Sequence, residues 1–175
     1  MGGVDHGGKR GRGAKKCVVV IALELTAPKS FGRVRLRHVP DASGASLVPF
    51  LCDVVAPGSI LITDSWRGYN DVVKHGYSRK AVNIEASGDP AHIVMPGVHR
   101  VASLLKRWLL GTHQGAVDPV HLQSYLEEFT FRFNRRSSRS RGLVFRRLLE
   151  QAVVTSPVTE DDIIQGYLWP NHHKM

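Results

Sequence analysis

The chain has few cysteines, few acidic residues and no long apolar run. Its 175 residues include two cysteines, Cys17 and Cys52, and no Cys-x-x-Cys pair, which excludes a disulfide framework and a cysteine-based zinc site. Free, buried thiols of a cytosolic protein are expected instead. No stretch approaches the roughly 18 apolar residues of a membrane span, and no signal-peptide pattern with a cleavage site is present.

The chain has 15 acidic residues and 24 Lys and Arg residues, which gives it a net charge of +9. This excess predicts an anionic partner, of which nucleic acid is the commonest. A merely basic surface is the alternative. We expect residues 1–16, rich in glycine and basic residues, to form a flexible basic segment, residues 17–154 a single domain and residues 155–175 a tail.

The strand signals come early in the chain. The apolar, β-branched run "CVVVIALEL" predicts a strand buried on both faces. "RVRLRHV" (33–39) alternates strictly, which predicts a second strand at a sheet edge, with Val34 and Leu36 facing inward and Arg33, Arg35 and Arg37 facing solvent.

After the second strand, the predicted elements first alternate between helix and strand and are then all helices. A helix is predicted from about Ser46 to Pro57, then a short buried strand "SILIT" ending at Asp64, a short helix "WRGYNDVVKHGY" and a weak strand "RKAVNI". Helices follow from about residue 98, one of them with Asp118 as N-cap. This order predicts an α/β fold with a mixed sheet, whose first two strands are antiparallel and whose later strands follow helical crossovers.

Asp64 is the first candidate site residue, because ligands of open α/β sheets bind at the carboxyl ends of strands and a carboxylate can hold a hard cation. The alternative is a turn-forming aspartate before Ser-Trp. His99 opens a helix, and Lys106 follows seven residues later, nearly two turns, so the two share a polar face with Ser103. The alternative is an exposed histidine and a solvated lysine.

Other polar residues leave their roles open. Glu127 could supply a further carboxylate, but a solvated face or an ion pair with Arg132 is the favoured interpretation. The basic loop after the penultimate helix can contact phosphates or be simply solvated. The remaining histidines show no ligand spacing, and surface positions are expected for His113, His121, His172 and His173.

Three stretches, "DSWRGY", "HRVASLLKRWLLGTHQG" and "HLQSYLEEFTFRFNRR", resemble the transposase domain of the bacterial insertion-sequence family numbered fifteen-ninety-five, also called ISXO-two-like. "KRGRGAKK" and the apolar strand behind it fit the N-terminal part of that domain. The resemblance covers roughly residues 2–150. It implies an RNase H-like mixed sheet flanked by helices, with a helical C-terminal part.

The resemblance also implies a chemistry, in which DNA is cut and rejoined with two divalent metal ions, Mg²⁺ or Mn²⁺. Asp64 matches the second aspartate of the family's acidic triad, position 99 the third ligand and Lys106 the lysine seven positions later. His99 departs from the usual carboxylate or amide, and a neutral imidazole suits Mn²⁺ better than Mg²⁺.

The implied partner is double-stranded DNA, both the insertion-sequence ends and the target, with a homo-oligomer when active, in the bacterial cytosol and without a membrane. The residues expected to contact DNA are basic and cluster in three places: Lys9, Arg10, Arg12, Lys15, Lys16, Lys106, Arg107, Arg135 and Arg136.

The family's first aspartate lies in a motif Asp-Glu-Thr-aromatic-x-Gly-Gly, of which only the last three positions match the opening "MGG". Asp5 follows the glycines and is not its equivalent. The expectation is therefore a truncated or mis-started transposase that lacks the first, central strand of its sheet and is inactive as written. A catalytically inactive DNA-binding remnant is the alternative, and a stand-alone RNase H-like nuclease is a third.

Overall fold

A computed structural model describes residues 17–27, 30–114 and 117–164. The chain order is strand, strand, helix, strand, 3₁₀ helix, strand and then helices, as predicted. The elements are β1 (Val18–Ala27), β2 (Ser30–Val39), α1 (Gly44–Val54), β3 (Ile60–Asp64), a 3₁₀ helix (Arg67–His75), β4 (Ser78–Val82), α2 (Ile84–Ser87), α3 (Ala91–Val94), α4 (Pro96–His113), α5 (Leu122–Asn134), α6 (Arg141–Val153) and α7 (Glu160–Ile164).

The strands form two small sheets rather than the one mixed sheet that was predicted. β1 pairs antiparallel with β2, so that Ile21 lies opposite Leu36, and β3 pairs parallel with β4, so that Leu61 lies opposite Arg79. No strand of the described residues joins the two pairs. The antiparallel first pair and the helical crossover between β3 and β4 were both predicted correctly.

The outer edge of β2 is closed by side chains of α5. The Asn134 amide accepts a hydrogen bond from the Val34 N–H (2.7 Å) and donates one to the Val34 carbonyl (3.0 Å). Gln123 accepts from the His38 N–H at 3.0 Å. These amides take the place of a neighbouring strand, because buried backbone groups need hydrogen-bond partners.

Helix α1 packs against both sheets at once. One apolar cluster contains Val20 of β1, Phe50 of α1 and Val72 of the 3₁₀ helix, with Leu61 of β3 packed against it. The helix forms in the predicted segment but begins at Gly44 instead of Ser46, because the Ser43 carbonyl already accepts the Leu47 N–H at 3.0 Å. Pro49 therefore lies inside the helix and not in its first turn. The two sheets are therefore held by a shared core although no strand links them.

The opposite face of β1 and β2 is covered by α4 and α5. Val34 and Leu36 lie in a second cluster with Val101 and Leu126, as the alternation in the sequence predicted. Gly97 in the first turn of α4 sits so close to the hairpin that an added Cβ would lie 2.7 Å from the Phe31 ring.

Several sequence expectations are corrected by burial. Ile60 and Ile62 of β3 are 70% and 43% exposed, so this strand is not buried, because nothing in the described residues covers that face. β1 is enclosed on both faces only up to about Leu23, and Leu25 is exposed. Both cysteines are exposed, not buried, because they lie outside the two clusters.

Other corrections concern polar positions. Of the three arginines expected to face solvent, Arg35 and Arg37 are half-buried, because Arg35 donates to the Val34 carbonyl and Arg37 pairs with Asp53 of α1 at 2.8 Å. α5 begins at Leu122 instead of Pro119, because the Asp118 side chain accepts from the Val120 N–H and forms a turn. His113 is not a simple surface residue, because its ring lies 4.1 Å from that of Tyr125 and 5.4 Å from that of Trp108.

The C-terminal helices differ in their packing. α6 has no buried residue, and the expected tail includes the short helix α7. Within the described ranges, no helix combines the length and the apolar character needed to cross a membrane.

Candidate functional site

Asp64 ends β3 with an exposed side chain. Its Oδ1 accepts a hydrogen bond from the Trp66 N–H at 3.2 Å, the turn-forming role that the sequence offered as an alternative. The strand alternates, so Asp64 shares with Ile60 and Ile62 the face turned away from Leu61 and α1. The carboxylate therefore both shapes a turn and stays accessible at the carboxyl end of a strand.

Arg79 of β4 holds the segment that follows Asp64. Its guanidinium donates to Thr63 Oγ1 at 2.9 Å, to the Asp64 carbonyl at 2.9 Å and to the Trp66 carbonyl at 3.0 Å. It also donates to the Asn70 side chain. A planar guanidinium can serve several acceptors in a fixed geometry, so Arg79 clamps this loop.

The sequence analysis did not single out Arg79. Its acceptors lie 9 to 16 positions away, so no local pattern marks the contact. Arg79 can be recognised as a partner of the Asp64 loop only once the β3–β4 pairing is known, because it lies opposite Leu61 in that pair.

The motif "DSWRGY" is explained by contacts of its individual residues. The Trp66 indole N–H donates to the Ala42 carbonyl at 2.6 Å and ties the loop to the start of α1. Gly68 passes so near that an added Cβ would lie 2.6 Å from the same carbonyl oxygen. Only glycine fits this approach without a shift of the backbone.

The charges of Asp64 and Arg79 act on the Tyr69 hydroxyl in opposite directions. Burial raises the pKa of its hydroxyl, and the negative charge of Asp64 raises this pKa further, while the charge of Arg79 lowers it. The Arg79 guanidinium lies 5.8 Å from the centre of the Tyr69 ring. Burial and the Asp64 charge together thus raise the pKa of the Tyr69 hydroxyl above the ordinary value of tyrosine.

His99 and Lys106 lie on α4 as predicted. Val101 and Leu105 are buried on one side of this helix, and His99, Ser103 and Lys106 lie on the opposite side. His99 is half-buried and Lys106 is exposed. Helix α4 covers the face of β1 that is turned away from α1. On β3, Asp64 likewise lies on the face turned away from α1.

The structure does not join these residues directly. Among the described contacts, no hydrogen bond or ion pair links Asp64 to either His99 or Lys106. No group of three or more His, Cys, Asp or Glu side chains able to hold a metal ion occurs in residues 17–27, 30–114 and 117–164. Glu127 accepts from Gln123, and it is Glu128 that pairs with Arg132 at 2.7 Å.

The basic residues expected to contact DNA fall into three groups. Lys106 and Arg107 are exposed on α4. Arg135 lies with its guanidinium 3.7 Å from the centre of the Phe131 ring, and Arg136 donates to the Phe31 and Gly32 carbonyls. Outside the described residues lie Lys9, Arg10, Arg12, Lys15 and Lys16.

Comparison with known proteins places the chain in a family. A family model described as an ISXO2-like transposase domain matches residues 2–134. An uncharacterized transposase-like protein of Haemophilus influenzae (strain ATCC 51907 / DSM 11121 / KW20 / Rd) is 26% identical over 116 residues, which cover 66% of this chain and 93% of that protein. No solved structure matches. The chain belongs to the family of ISXO2-like transposase domains.

Proposed function

We propose that this chain is a DNA-binding domain of an insertion-sequence transposase, with Asp64, His99 and Lys106 as the polar residues of its strand-cleavage site. The exposed Asp64 at the carboxyl end of β3 is the observation that carries the proposal. The net charge of +9 and the family membership support duplex DNA as the partner. We propose the nucleoid of the bacterial cytosol as the location of the protein, because its proposed partner is DNA.

Transposases of this kind generally use divalent metal ions, and the described residues do not fit a complete metal site. One carboxylate and one imidazole leave most positions unfilled around Mg²⁺, which prefers six oxygen ligands. No described group of three or more ligands surrounds Asp64. We therefore propose that the chain binds DNA but does not cleave it unless a further carboxylate is supplied.

The two sheets indicate where that carboxylate would enter. β2 is closed along its outer edge by Asn134 and Gln123, so a new strand cannot pair there. Among the described residues β1 pairs only with β2 and β3 only with β4, while both sheets share the α1 core. We propose that one more strand between β1 and β3 completes an RNase H-like sheet and brings an acidic residue beside Asp64.

The exposed isoleucines of β3 agree with this proposal. Ile60 and Ile62 are apolar and β-branched, as central strands require, yet they are exposed on the face of Asp64. A neighbouring strand and a helix across it would cover them. Without a strand at that position, DNA binding without cleavage is the activity that we propose for the described residues.

The test compares the chain with a version that carries an N-terminal extension. This extension ends in Asp-Glu-Thr-aromatic, so that it completes the family motif together with the opening residues of the chain. Both are mixed with supercoiled plasmid and with labelled duplex, in the presence of Mg²⁺ or Mn²⁺. We expect both to bind duplex and only the extended version to nick the plasmid, as a homo-oligomer. Asp64→Asn in the extended version is expected to abolish nicking and leave binding intact.

Two outcomes contradict the proposal. Nicking that survives Asp64→Asn removes Asp64 from the site. Absence of duplex binding by both versions removes DNA as the partner.

A further inference from the structure

Four arginines converge where the end of α5 meets β2. The contact between Asn134 and Val34 fixes this junction, and the residues beside Val34 in sequence are Arg33 and Arg35. Arg135 follows Asn134 directly at the end of α5, and Arg147 of α6 is close enough to act on the Arg135 charge. We call Arg33, Arg35, Arg135 and Arg147 the arginine cluster.

Two of the four guanidinium groups of the cluster are held in place by contacts. Arg135 stacks at 3.7 Å on the Phe131 ring, and Arg35 donates to the Val34 carbonyl at 3.2 Å. Both side chains are half-buried. Because their positions are fixed in advance, an anion that binds them has less side-chain entropy to pay for.

The cluster members repel one another. Burial lowers the pKa of Arg135 most, and the charges of Arg147, Arg33 and Arg35 lower this pKa further. Burial likewise lowers the pKa of Arg35, with Arg33 adding to the effect and Glu24 opposing it. Arginine nevertheless stays charged at neutral pH.

Few carboxylates balance the cluster. Glu24 lies at the β2 side, where it accepts from the Arg33 N–H at 2.9 Å. On α6, Glu150 pairs with Arg147 and also with Arg146, each at 2.9 Å. The site therefore keeps an excess of positive charge, which a bound anion would relieve.

Arg136 plays a different part, although it lies next to Arg135. Its guanidinium stacks on Phe133 at 4.0 Å and donates to the carbonyls of Phe31, Gly32 and Phe133. These bonds use its donors to hold the β1–β2 hairpin against α5. Arg136 is therefore left out of the cluster.

We propose that the arginine cluster binds phosphodiester groups of the backbone of duplex DNA. This inference rests on the proposed function as a DNA-binding domain. Arginine is suited to the task because its fork of donors matches phosphate oxygens. Arg33 and Arg35 lie on the side of β2 that faces α1, whereas Asp64 lies on the side of β3 turned away from α1, so the cluster is a second contact surface.

The test measures the salt dependence of duplex binding by fluorescence anisotropy, with EDTA present so that no cleavage intervenes. We expect the double variant Arg33→Gln/Arg35→Gln to lower the slope of log K against log salt by about 2, and to raise Kd by roughly 10-fold or more. The matched control Arg67→Gln/Lys74→Gln also removes two positive charges, both from exposed side chains of the 3₁₀ helix, an element that contributes no residue to the cluster. Its slope should stay close to that of the unchanged chain.

Circular dichroism and the thermal midpoint check that each variant is folded. If the double variant unfolds, the single variant Arg33→Gln replaces it, since Arg33 is exposed, with an expected decrease in slope of about 1. Binding with an unchanged slope in the cluster variant, or an equal loss in the control, overturns the inference but leaves the proposed function standing. Absence of binding by the unchanged chain overturns both.

Discussion

The side-chain amide of Asn134 bonds both backbone groups of Val34, a residue 100 positions earlier in the chain. One residue of a helix thus satisfies the edge of a strand that would otherwise need a neighbour. This relationship closes one side of the sheet, fixes the end of α5 and sets Arg33 and Arg35 beside Arg135.

Loss of the Asn134 amide should destabilise the chain. Asn134→Leu keeps the size of the side chain but leaves the N–H and carbonyl of the buried Val34 without their partners, at a cost of about 1–3 kcal/mol. Urea unfolding followed by circular dichroism measures this change. Arg132→Gln, on an exposed side of the same helix, is the control, and a similar loss in both would refute the special role of Asn134.

The clamp at Arg79 should govern the order of the loop after Asp64. Arg79→Met removes donors to Thr63, Asp64 and Trp66, so amide hydrogen exchange in residues 64–70 should become faster and unfolding easier by about 1–3 kcal/mol. Arg79→Lys keeps the charge but not the fork, and should restore only part of the protection. Unchanged exchange in Arg79→Met would show that the loop is held by other contacts.

The pKa of Tyr69 should respond to Asp64. Burial is the first cause of its raised pKa and the Asp64 charge is the second, so Asp64→Asn should lower this pKa towards the ordinary value of tyrosine without fully reaching it. Ultraviolet titration of tyrosinate measures the shift, with Tyr69→Phe to identify the signal. An identical titration curve in Asp64→Asn would contradict the closeness of the two groups.

The sign of the stability change follows from that raised pKa. Because the folded state holds the Tyr69 proton more tightly than the unfolded state, its contribution to stability is full below the ordinary tyrosine pKa of about 10. It is lost as the pH rises through the folded pKa. The alkaline limb of the stability curve should therefore be less steep in Tyr69→Phe.

Two glycines of α4 should respond oppositely to alanine. Gly97→Ala places a Cβ 2.7 Å from Phe31 and 2.8 Å from Leu23, so overpacking should cost about 1–3 kcal/mol. Gly111→Ala meets nothing within 4 Å and should stabilise the helix by about 0.5–1 kcal/mol. Thermal unfolding of the two variants provides the comparison, and a stabilised Gly97→Ala would contradict the close contact of α4 with the hairpin.

Elements with a strong local pattern were predictable. Val34 and Leu36 alternate with arginines, and this period places them on one buried face whatever the partner is. The face of α4 that carries His99 and Lys106 followed equally from helical spacing. Such features depend on residues a few positions apart, so they can be read locally.

The candidate site was predictable only in part. Asp64 was expected at the end of a strand, and the turn to Trp66 needs only neighbours. Arg79 was missed because its partners reach it across the β3–β4 pairing. The exposure of Ile60 and Ile62 was likewise missed, because an apolar strand looks the same in sequence whether or not it is covered.

The sequence by itself determined the order of the elements, the inward faces of β2 and α4, the excess of positive charge and the membership in a transposase family. Only the tertiary structure decided that the strands form two sheets and that Asn134 closes the edge of β2. It also decided that Arg79 bonds the loop after Asp64 and that the arginines of the cluster come together. The physical reason is distance along the chain. Periodicity and turn formation act over a few residues, whereas strand pairing, edge closure and charge crowding join residues that only the folded chain brings together.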